Sequence, residues 1–420
     1  MTDTAIKPVR RAAVAFIFIT VLMDVLAIGL IVPVLPQLVA EFVGGDTSVA
    51  ARWVGTFGMI FAIIQFFSAP LLGALSDRFG RRRVILISCL GLGLDFILMA
   101  LAPSLAWLLV ARIISAVASA SFSTANAYIA DVTPPEKRAG AFGITGMAFG
   151  LGFVIGPMMG GWLGHYDLRW PFWGAAILAL LNFCYGLWVL PESLPPERRS
   201  ARFSWRQANP VGSLSLLGQY PRLWGLVAVI LISHTAHYVY PSIFVLYADY
   251  RYGWGPMLVG QVLAVVGICS ALVQGGLVRK VTPKIGEHNA LVLGLVCGAV
   301  GFLGYGLAPV GWIFMAVIPL MALWGFGGPA AQSLITREVG ADVQGRIQGA
   351  MVSLIGLTGV IGPKLYTEAF ARFIGPDAVL ELPGMPWFIA SFLLVLALSV
   401  TLWQRPRLRQ IVLRSSASQS

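Results

Sequence analysis

The chain has 420 residues, of which 58% are hydrophobic and 11% are charged, and its mean hydropathy is +0.82. Because an ordinary soluble domain carries about 25% charged residues, this composition excludes one and indicates a polytopic membrane protein. The net charge of +11 does not indicate nucleic-acid binding, since the basic residues concentrate in the loops between apolar segments.

Twelve apolar segments have the length of about 20 residues that a helix needs to cross about 30 Å of hydrocarbon. Irregular backbone would leave unpaired polar groups in lipid, so these segments are predicted to be helices. The sequence therefore predicts an all-α integral membrane protein with twelve spans, at 13–39, 53–75, 84–103, 105–130, 139–163, 170–190, 222–249, 257–279, 289–309, 311–335, 346–371 and 384–404.

The loops between these spans differ in charge. With both termini on one side of the membrane, 23 of the 29 Lys and Arg residues fall on that side. Cytoplasmic loops carry such an excess of basic residues. We therefore expect both termini in the cytoplasm, which an even number of spans also requires.

Three charged residues lie inside the predicted spans of the first half: Asp24 in the first, Asp95 in the third and Arg112 in the fourth. Charged groups at this depth are costly and are functional candidates by default. A buried carboxylic acid resists ionisation and can exchange a proton, which indicates proton coupling. A neutral, hydrogen-bonded acid and a purely structural ion pair for Arg112 remain the alternatives.

A short charged loop, Gly73 to Arg83, joins the second and third spans. Gly73 has no side chain to hold a neighbouring helix away. The carboxylate of Asp77 lies at a helix end, and the arginines lie where lipid head groups begin.

The fifth span contains a run of small residues around a proline. Glycines four residues apart allow close helix contact, and proline weakens the local hydrogen-bond ladder. Helix packing and a functional kink explain this run equally well; its residues are Gly152, Gly156, Pro157, Gly160 and Gly161.

A hydrophilic stretch divides the chain into residues 1–191 and 222–420, and its Pro-, Ser- and Arg-rich residues 192–221 read as a cytoplasmic linker. A shift of 206 residues lays Val154-Ile155-Gly156-Pro157 on Val360-Ile361-Gly362-Pro363. Since the match falls in the fifth span of each half, it indicates duplication and two pseudo-symmetric six-helix bundles.

The second half offers polar residues at depth but no acid in spans eight and nine. His234 and His237 share one face of the seventh span beside Tyr238. A protonatable lining of a substrate cavity, helix-packing histidines and a two-histidine metal site are the alternatives; without a third ligand we predict no metal site. Further candidates for the cavity are Gln65, Asn126, Gln261 and Gln332.

The spacing Gly-x-x-x-Asp-Arg-x-Gly-Arg-Arg of the charged loop resembles the loop signature of the major facilitator superfamily. The glycine run of the fifth span is similar to the signature of its proton-coupled drug antiporters. Met23 to Pro36, Asp95 and the segment Tyr128 to Thr133 resemble the tetracycline efflux family.

The resemblance implies the superfamily fold, proton coupling through Asp24, Asp95 and Arg112, and an export-favouring kink in the fifth helix. It also implies a cytoplasmic charge network that stabilises the outward-facing state, formed by Gly73, Asp77, Arg78, Gly80, Arg81, Asp131 and Arg138.

These features predict a proton-coupled exporter of a lipophilic, tetracycline-like small molecule in a bacterial inner membrane, working as a monomer. A uniporter or symporter of a metabolite is the alternative, and a membrane protein without transport is a third reading. The family's drug-binding histidine and aspartate are replaced by Ser270 and Gly298, so the substrate stays open. We find no nucleotide-binding loop or nucleophile with a base, and expect no cofactor and no enzyme activity.

Overall fold

The structure of the chain, a computed structural model, describes residues 6–119, 121–134, 138–199, 218, 220–339 and 344–404. Within these residues the regular backbone is entirely helical. The predicted all-α class is therefore confirmed. Most of the predicted linker 192–221 lies outside the described residues, and so does the C-terminal tail after Gln404.

The helices of the first half follow the predicted spans in order. They are α1 (Ile6–Ile31), α2 (Leu35–Phe42), α3 (Thr47–Phe79), α4 (Arg81–Leu101), α5 (Leu105–Ala118), α6 (Ser121–Val132), α7 (Arg138–Tyr166) and α8 (Trp170–Val189).

The second half repeats the pattern with more interruptions. Its helices are α9 (Trp224–His237), α10 (Val239–Tyr252), α11 (Pro256–Leu272), α12 (Val278–Ile285), α13 (Glu287–Leu307), α14 (Gly311–Ala322), α15 (Gly327–Glu338), α16 (Gln344–Ile374) and α17 (Met385–Trp403). A π-helical turn, Val273–Leu277, joins α11 to α12, and a 3₁₀ turn, Leu323–Phe326, joins α14 to α15.

Eleven helical segments of the described chain are long and apolar enough to cross a membrane. The predicted fourth span, 105–130, is instead divided into α5 and α6. At this break the Ser119 hydroxyl donates to the carbonyl of Ala116 at 3.0 Å, and such local bonds compete with the helical ladder. The protein is thus an integral multi-pass membrane protein, and the twelfth crossing stays a prediction.

One compact unit comprises residues within Met1–Gly44, Ile60–Asn209 and Gly255–Ala264. We call it unit 1. Its core includes Val21 and Val25 of α1, Cys89 of α4 and Tyr128 of α6, all 3% exposed or less. Helix α1 packs closely against α7 and α8, and α4 packs against α8.

The other compact unit, unit 2, comprises residues within Gly45–Met59, Pro210–Trp254 and Val265–Ser420. Aromatic rings fill its interior. The ring centroids of Tyr305 and Phe314 lie 4.0 Å apart in a stacked pair, and Trp387 packs edge-on against Tyr305 at 5.2 Å. Tyr240 and Phe302 extend this cluster, which consists of buried side chains from several helices.

Each unit also contains a short segment from the other half of the chain, on the far side of the predicted linker. Residues 45–59 belong to unit 2 and residues 255–264 to unit 1, and a shift of 206 residues lays 45–59 on 251–265. In both segments a glycine allows close packing against the rest of the unit. A Cβ added to Gly55 would lie 2.9 Å from Cβ of Thr367, and one added to Gly260 would lie 3.0 Å from Cα of Gly161. Gly161 and Thr367 are 206 residues apart, and Gly55 shifted by 206 residues falls on Gln261, next to Gly260, so the two contacts occupy nearly equivalent places in the internal repeat.

Candidate functional site

Asp95 is the most enclosed acid of unit 1, with an exposed fraction of 0% on α4. Within the described residues neither of its carboxylate oxygens accepts a hydrogen bond of normal geometry. The Arg112 guanidinium of α5 is the positive charge that acts on it, yet the two side chains form no direct ion pair in the described part of the chain. Asp95 is thus a buried carboxyl group whose counter-charge is close but not bound to it.

The guanidinium of Arg112 lies over an aromatic ring instead. Its Cζ is 4.4 Å from the ring centroid of Phe61 on α3, within the range of a cation–π contact. One turn nearer the end of α3, Gln65 donates to the Ser119 hydroxyl at 3.1 Å. Arg112 can therefore be held without a carboxylate partner, which leaves Asp95 able to change its protonation state.

Asp24 occupies a different setting, in a polar cluster among α1, α4 and α8. Its Oδ1 accepts a hydrogen bond of 2.8 Å from Nδ2 of Asn182, which also donates to the backbone carbonyl of Thr20 at 3.0 Å. The Cys89 thiol lies 3.8 Å from the same carboxylate oxygen. All four residues are 2% exposed or less. Asp24 is therefore tied to two neighbouring helices, whereas Asp95 is not.

At one end of unit 1, Arg81 joins two acids. Its guanidinium contacts Asp77 at 2.5 Å and Asp131 at 3.1 Å, and it donates to the Ser76 hydroxyl. Arg81 starts α4 directly after Gly80, whose φ of 99° is a conformation that only glycine adopts readily. The structure therefore brings Asp77 and Arg81 of the charged loop together with Asp131 at the end of α6.

Two other residues of the predicted network, Arg78 and Gly73, stand apart from these contacts among the described residues. Arg78 is exposed and lies over the ring of its neighbour Phe79 at 5.2 Å. A Cβ on Gly73 would meet nothing within 4 Å, so no close helix contact requires glycine there among the described residues. The side chain of Arg138 lies outside the described residues.

Glycines of α7 bring it against α1. A Cβ on Gly152 would lie 2.7 Å from Cβ of Val25, and one on Gly156 would lie 2.8 Å from Cα of Gly29. One on Gly160 would run into the backbone carbonyl of Leu30. Pro157 lies inside the helix without ending it. Close packing of α1 on α7 thus accounts for the spacing of these glycines, and it leaves a role in the direction of transport untested.

The polar residues predicted for a cavity are scattered over both units. His237 is exposed, and its ring centroid lies 5.4 Å from that of Trp324. The Tyr238 side chain packs where a Cβ on Gly362 would lie. Asn126 and Gln261 are exposed, while His234 and Gln332 are partly buried.

Comparison with known proteins agrees with this architecture. The family model described as Major Facilitator Superfamily matches residues 17–363. The class C tetracycline resistance protein of Escherichia coli is 37% identical over 380 residues, which covers 90% of this chain and 93% of that protein. The chain belongs to the Major Facilitator Superfamily. It is accordingly a membrane transporter and not an enzyme.

Two further matches have the same extent. The class B tetracycline resistance protein of Escherichia coli is 32% identical, covering 92% of this chain and 94% of that protein. A solved structure of a bacterial homolog to the human lysosomal transporter Spinster has a TM-score of 0.74 at 19% identity, covering 96% of this chain and 98% of that one. At this identity the structural match supports the superfamily fold alone.

Glu192, which the sequence analysis missed, completes the charged end of unit 1. Its Oε1 accepts from the backbone N–H of Arg81 at 2.9 Å and of Leu194 at 3.1 Å, and its Oε2 lies 3.7 Å from Nη2 of Arg199. Ser193 donates to Asp131 at 3.2 Å. The only sequence signal was a Pro-Glu-Ser triplet at the end of an apolar span, which by itself does not name a partner 111 residues away.

The second half of this superfamily member carries a counterpart with opposite signs. Glu287, at the start of α13, pairs with Arg337, at the end of α15, and accepts from the Ser333 hydroxyl at 3.4 Å. These positions are Arg81 and Asp131 shifted by 206 residues. Gly286 also repeats Gly80, with a φ of 79°. A cavity of about 560 Å³ lies beside the pair, lined by Val278, Arg279, Thr282, Pro283, Gly286, Glu287 and Arg337.

Proposed function

We propose that this chain exports a lipophilic small molecule from the cell in exchange for protons. The observation that carries the proposal is the setting of Asp95, a fully buried carboxyl group with a positive charge nearby but not bound to it. Such a group can take up a proton from one side of the membrane and release it to the other when access changes.

Arg112 and Phe61 make that exchange workable. While Arg112 rests on the Phe61 ring, a neutral Asp95 leaves no unpaired negative charge in the membrane. When Asp95 loses its proton, the carboxylate attracts the guanidinium and the charge is neutralised locally. The protonated and deprotonated forms of Asp95 thus correspond to two arrangements of the same three side chains. Coupling to a conformational change requires a group of residues with two such arrangements.

The charged ends of the helices supply the conformational part. The contacts of Arg81 with Asp77, Asp131 and the segment around Glu192 hold the ends of α3, α4, α6 and α8 together. We propose that this network, with Arg78, Gly80 and Arg138, stabilises one of the two states of the transport cycle. Charge-assisted contacts between helix ends are suited to this role because they form and break as a set.

Tetracycline resistance proteins are relatives over more than nine-tenths of their own length. We therefore propose a drug-like substrate of tetracycline size, with Gln65, Asn126, His234, His237, Tyr238, Gln261 and Gln332 as candidate contacts. The alternative, a uniporter or symporter of a small metabolite, is less favoured, because a uniporter has no need for a buried titratable acid and the relatives are tetracycline resistance proteins. We place the protein as a monomer in a bacterial inner membrane, with both termini in the cytoplasm.

Purified protein in liposomes that contain a pH-sensitive dye tests the proposal. An inward proton gradient is imposed, and tetracycline, ethidium and other lipophilic drugs are added in turn. We expect at least one compound to evoke proton movement that stops when an ionophore collapses the gradient. Transport of labelled compounds without any proton movement would reject antiport and favour the metabolite carrier.

A further inference from the structure

Two irregular turns of unit 2 lie against each other inside predicted spans, one near the middle of 311–335 and one toward the end of 257–279. A Cβ on Gly325, in the 3₁₀ turn Leu323–Phe326, would lie 3.2 Å from Cγ of Gln274, in the π turn Val273–Leu277. Single π and 3₁₀ turns inside longer helices are frequent at functional sites. At membrane depth, non-helical backbone is tolerated where it is enclosed by protein or lines a water-filled cavity.

Aromatic side chains lie beside these turns. The Trp324 ring centroid lies 5.5 Å from that of Phe302, which is fully buried, and 5.4 Å from that of His237, which is exposed. Gln274 is exposed as well. His237 lies near the middle of a 29-residue span, where an imidazole facing lipid would be costly. We call the group His237, Gln274, Phe302 and Trp324 the aromatic site.

Trp324 occupies the place where a longer side chain at position 298 would have to lie. A Cβ on Gly298 would be 2.9 Å from both Cγ and Cδ1 of the indole. No Asp or Glu occurs in the segments that flank the aromatic site, which are 257–279, 289–309, 311–335 and α9. A divalent cation prefers carboxylate and carbonyl oxygens, so this surface lacks the charge that a metal chelate would need.

We infer that the aromatic site binds a planar, aromatic molecule that arrives without a divalent metal. Flat aromatic rings stack on an indole face, and His237 and Gln274 can hydrogen-bond polar groups at the edge of the molecule. This inference rests on the proposed export function and adds the chemical class of its substrate.

Binding of ethidium to purified protein in detergent, followed by fluorescence anisotropy, tests the inference without transport. We expect Trp324→Leu to weaken ethidium binding about tenfold through the loss of ring stacking, and Trp324→Phe to recover most of the loss. His237→Leu changes an exposed side chain and serves as the second variant where Trp324→Leu fails to fold. Trp312→Leu, an exposed tryptophan of the same unit, is the matched control and should bind as the wild type does.

The metal dependence is measured with tetracycline as the probe, once with Mg²⁺ and once with EDTA. Equal affinity in both buffers, together with a loss in Trp324→Leu, supports the inference. Binding that requires Mg²⁺, or that is unchanged in both Trp324→Leu and His237→Leu, overturns it, as does the absence of saturable ethidium binding.

The two proposals can fail separately. Ethidium that binds through Trp324 but evokes no proton movement in liposomes would reject proton antiport and leave the aromatic site standing. Drug-evoked proton movement that persists while Trp324→Leu and His237→Leu bind ethidium normally would keep the export function and reject the aromatic site.

Discussion

The two compact units of this transporter bury different kinds of side chain. Unit 1 encloses Asp24, Asp95 and Asn182, while unit 2 encloses stacked rings such as Tyr305, Phe314 and Trp387. Because a repeat of 206 residues relates the halves of the chain, the difference arose on one scaffold. It suggests a division of labour, in which unit 1 handles the proton and unit 2 contacts the transported molecule.

The same contrast holds for the charged pairs at the helix ends. In unit 1 an arginine is held by two acids and by the segment around Glu192, whereas in unit 2 a glutamate is held by Arg337 beside a cavity lined by Arg279. Equivalent positions thus carry opposite charges. The unit 1 network has more partners and should matter more for the transport cycle.

We expect the largest difference in transport between two variants that each lose one buried polar group, the first in unit 1 and the second in unit 2. Asp95→Asn keeps the shape of the side chain but removes its titratable proton, so drug-evoked proton movement in liposomes should fall about a hundredfold or more. Tyr305→Phe removes a buried hydroxyl without a hydrogen-bond partner in the described residues, and should leave transport within about twofold. Equal losses in both variants would contradict the division of labour.

The next effect concerns the polar cluster of Asp24. Asn182→Leu removes a donor to a carboxylate, a contact of about 1.5–3 kcal/mol, so transport should slow about tenfold with little change in KM. If Asn182 acts through Asp24, the double variant with Asp24→Asn should be no slower than either single variant. Asn289→Ala, an exposed asparagine bonded only to backbone carbonyl of Ile285 in the described residues, is the control. Independent, multiplying losses would show that Asn182 has a separate role.

A smaller effect separates the charged pairs. Arg81→Gln leaves two carboxylates without their arginine and should slow transport about fivefold, while Arg337→Gln leaves one and should slow it about twofold. Arg81→Lys keeps the charge but not the two-armed geometry, and should lie between wild type and Arg81→Gln. The rates are measured in the same liposomes. A larger loss for Arg337→Gln would reverse the ranking of the two networks.

The smallest effect on transport is expected from crowding the aromatic site. Gly298→Val places carbon atoms against the indole of Trp324, and overpacking of this kind costs about 1–3 kcal/mol. The melting temperature in detergent should fall by a few degrees and recover in the double variant with Trp324→Leu. Gly143→Val, where an added Cβ would meet nothing within 4 Å, is the control. A failure of Trp324→Leu to restore stability would show that Leu394, the other neighbour of Gly298, sets the limit.

Several parts of the site were predictable from sequence because their signal is local. An acid or arginine inside an apolar run stands out at once, as Asp95 and Arg112 did. The charged loop placed Asp77 and Arg81 four residues apart, and the turn at Gly80 between α3 and α4 brought them into contact. The division of the predicted fourth span into α5 and α6 was not predicted, because apolarity does not reveal where a Ser-rich stretch ends a helix, and the crossing itself stays a prediction.

The partners of these residues were not predictable. Asn182 lies 158 residues from Asp24, and Glu192 lies 111 residues from Arg81. The sequence places Trp324 in a predicted span but does not place it beside Gly298, and only the structure shows which side chain the indole would displace there.

By itself the sequence determined that this is a multi-pass helical membrane protein of a known superfamily, with ionisable groups at depth. Those properties depend on composition and on short-range spacing, which lipid and helix geometry translate directly into structure. Only the tertiary structure decided that Asp24 is hydrogen-bonded to Asn182 while Asp95 lies near Arg112 without a direct ion pair, that Glu192 completes the charge network, and that Trp324 fills the place beside Gly298. Each of these depends on which helices pack together, and packing is set by surfaces formed from residues far apart in the chain.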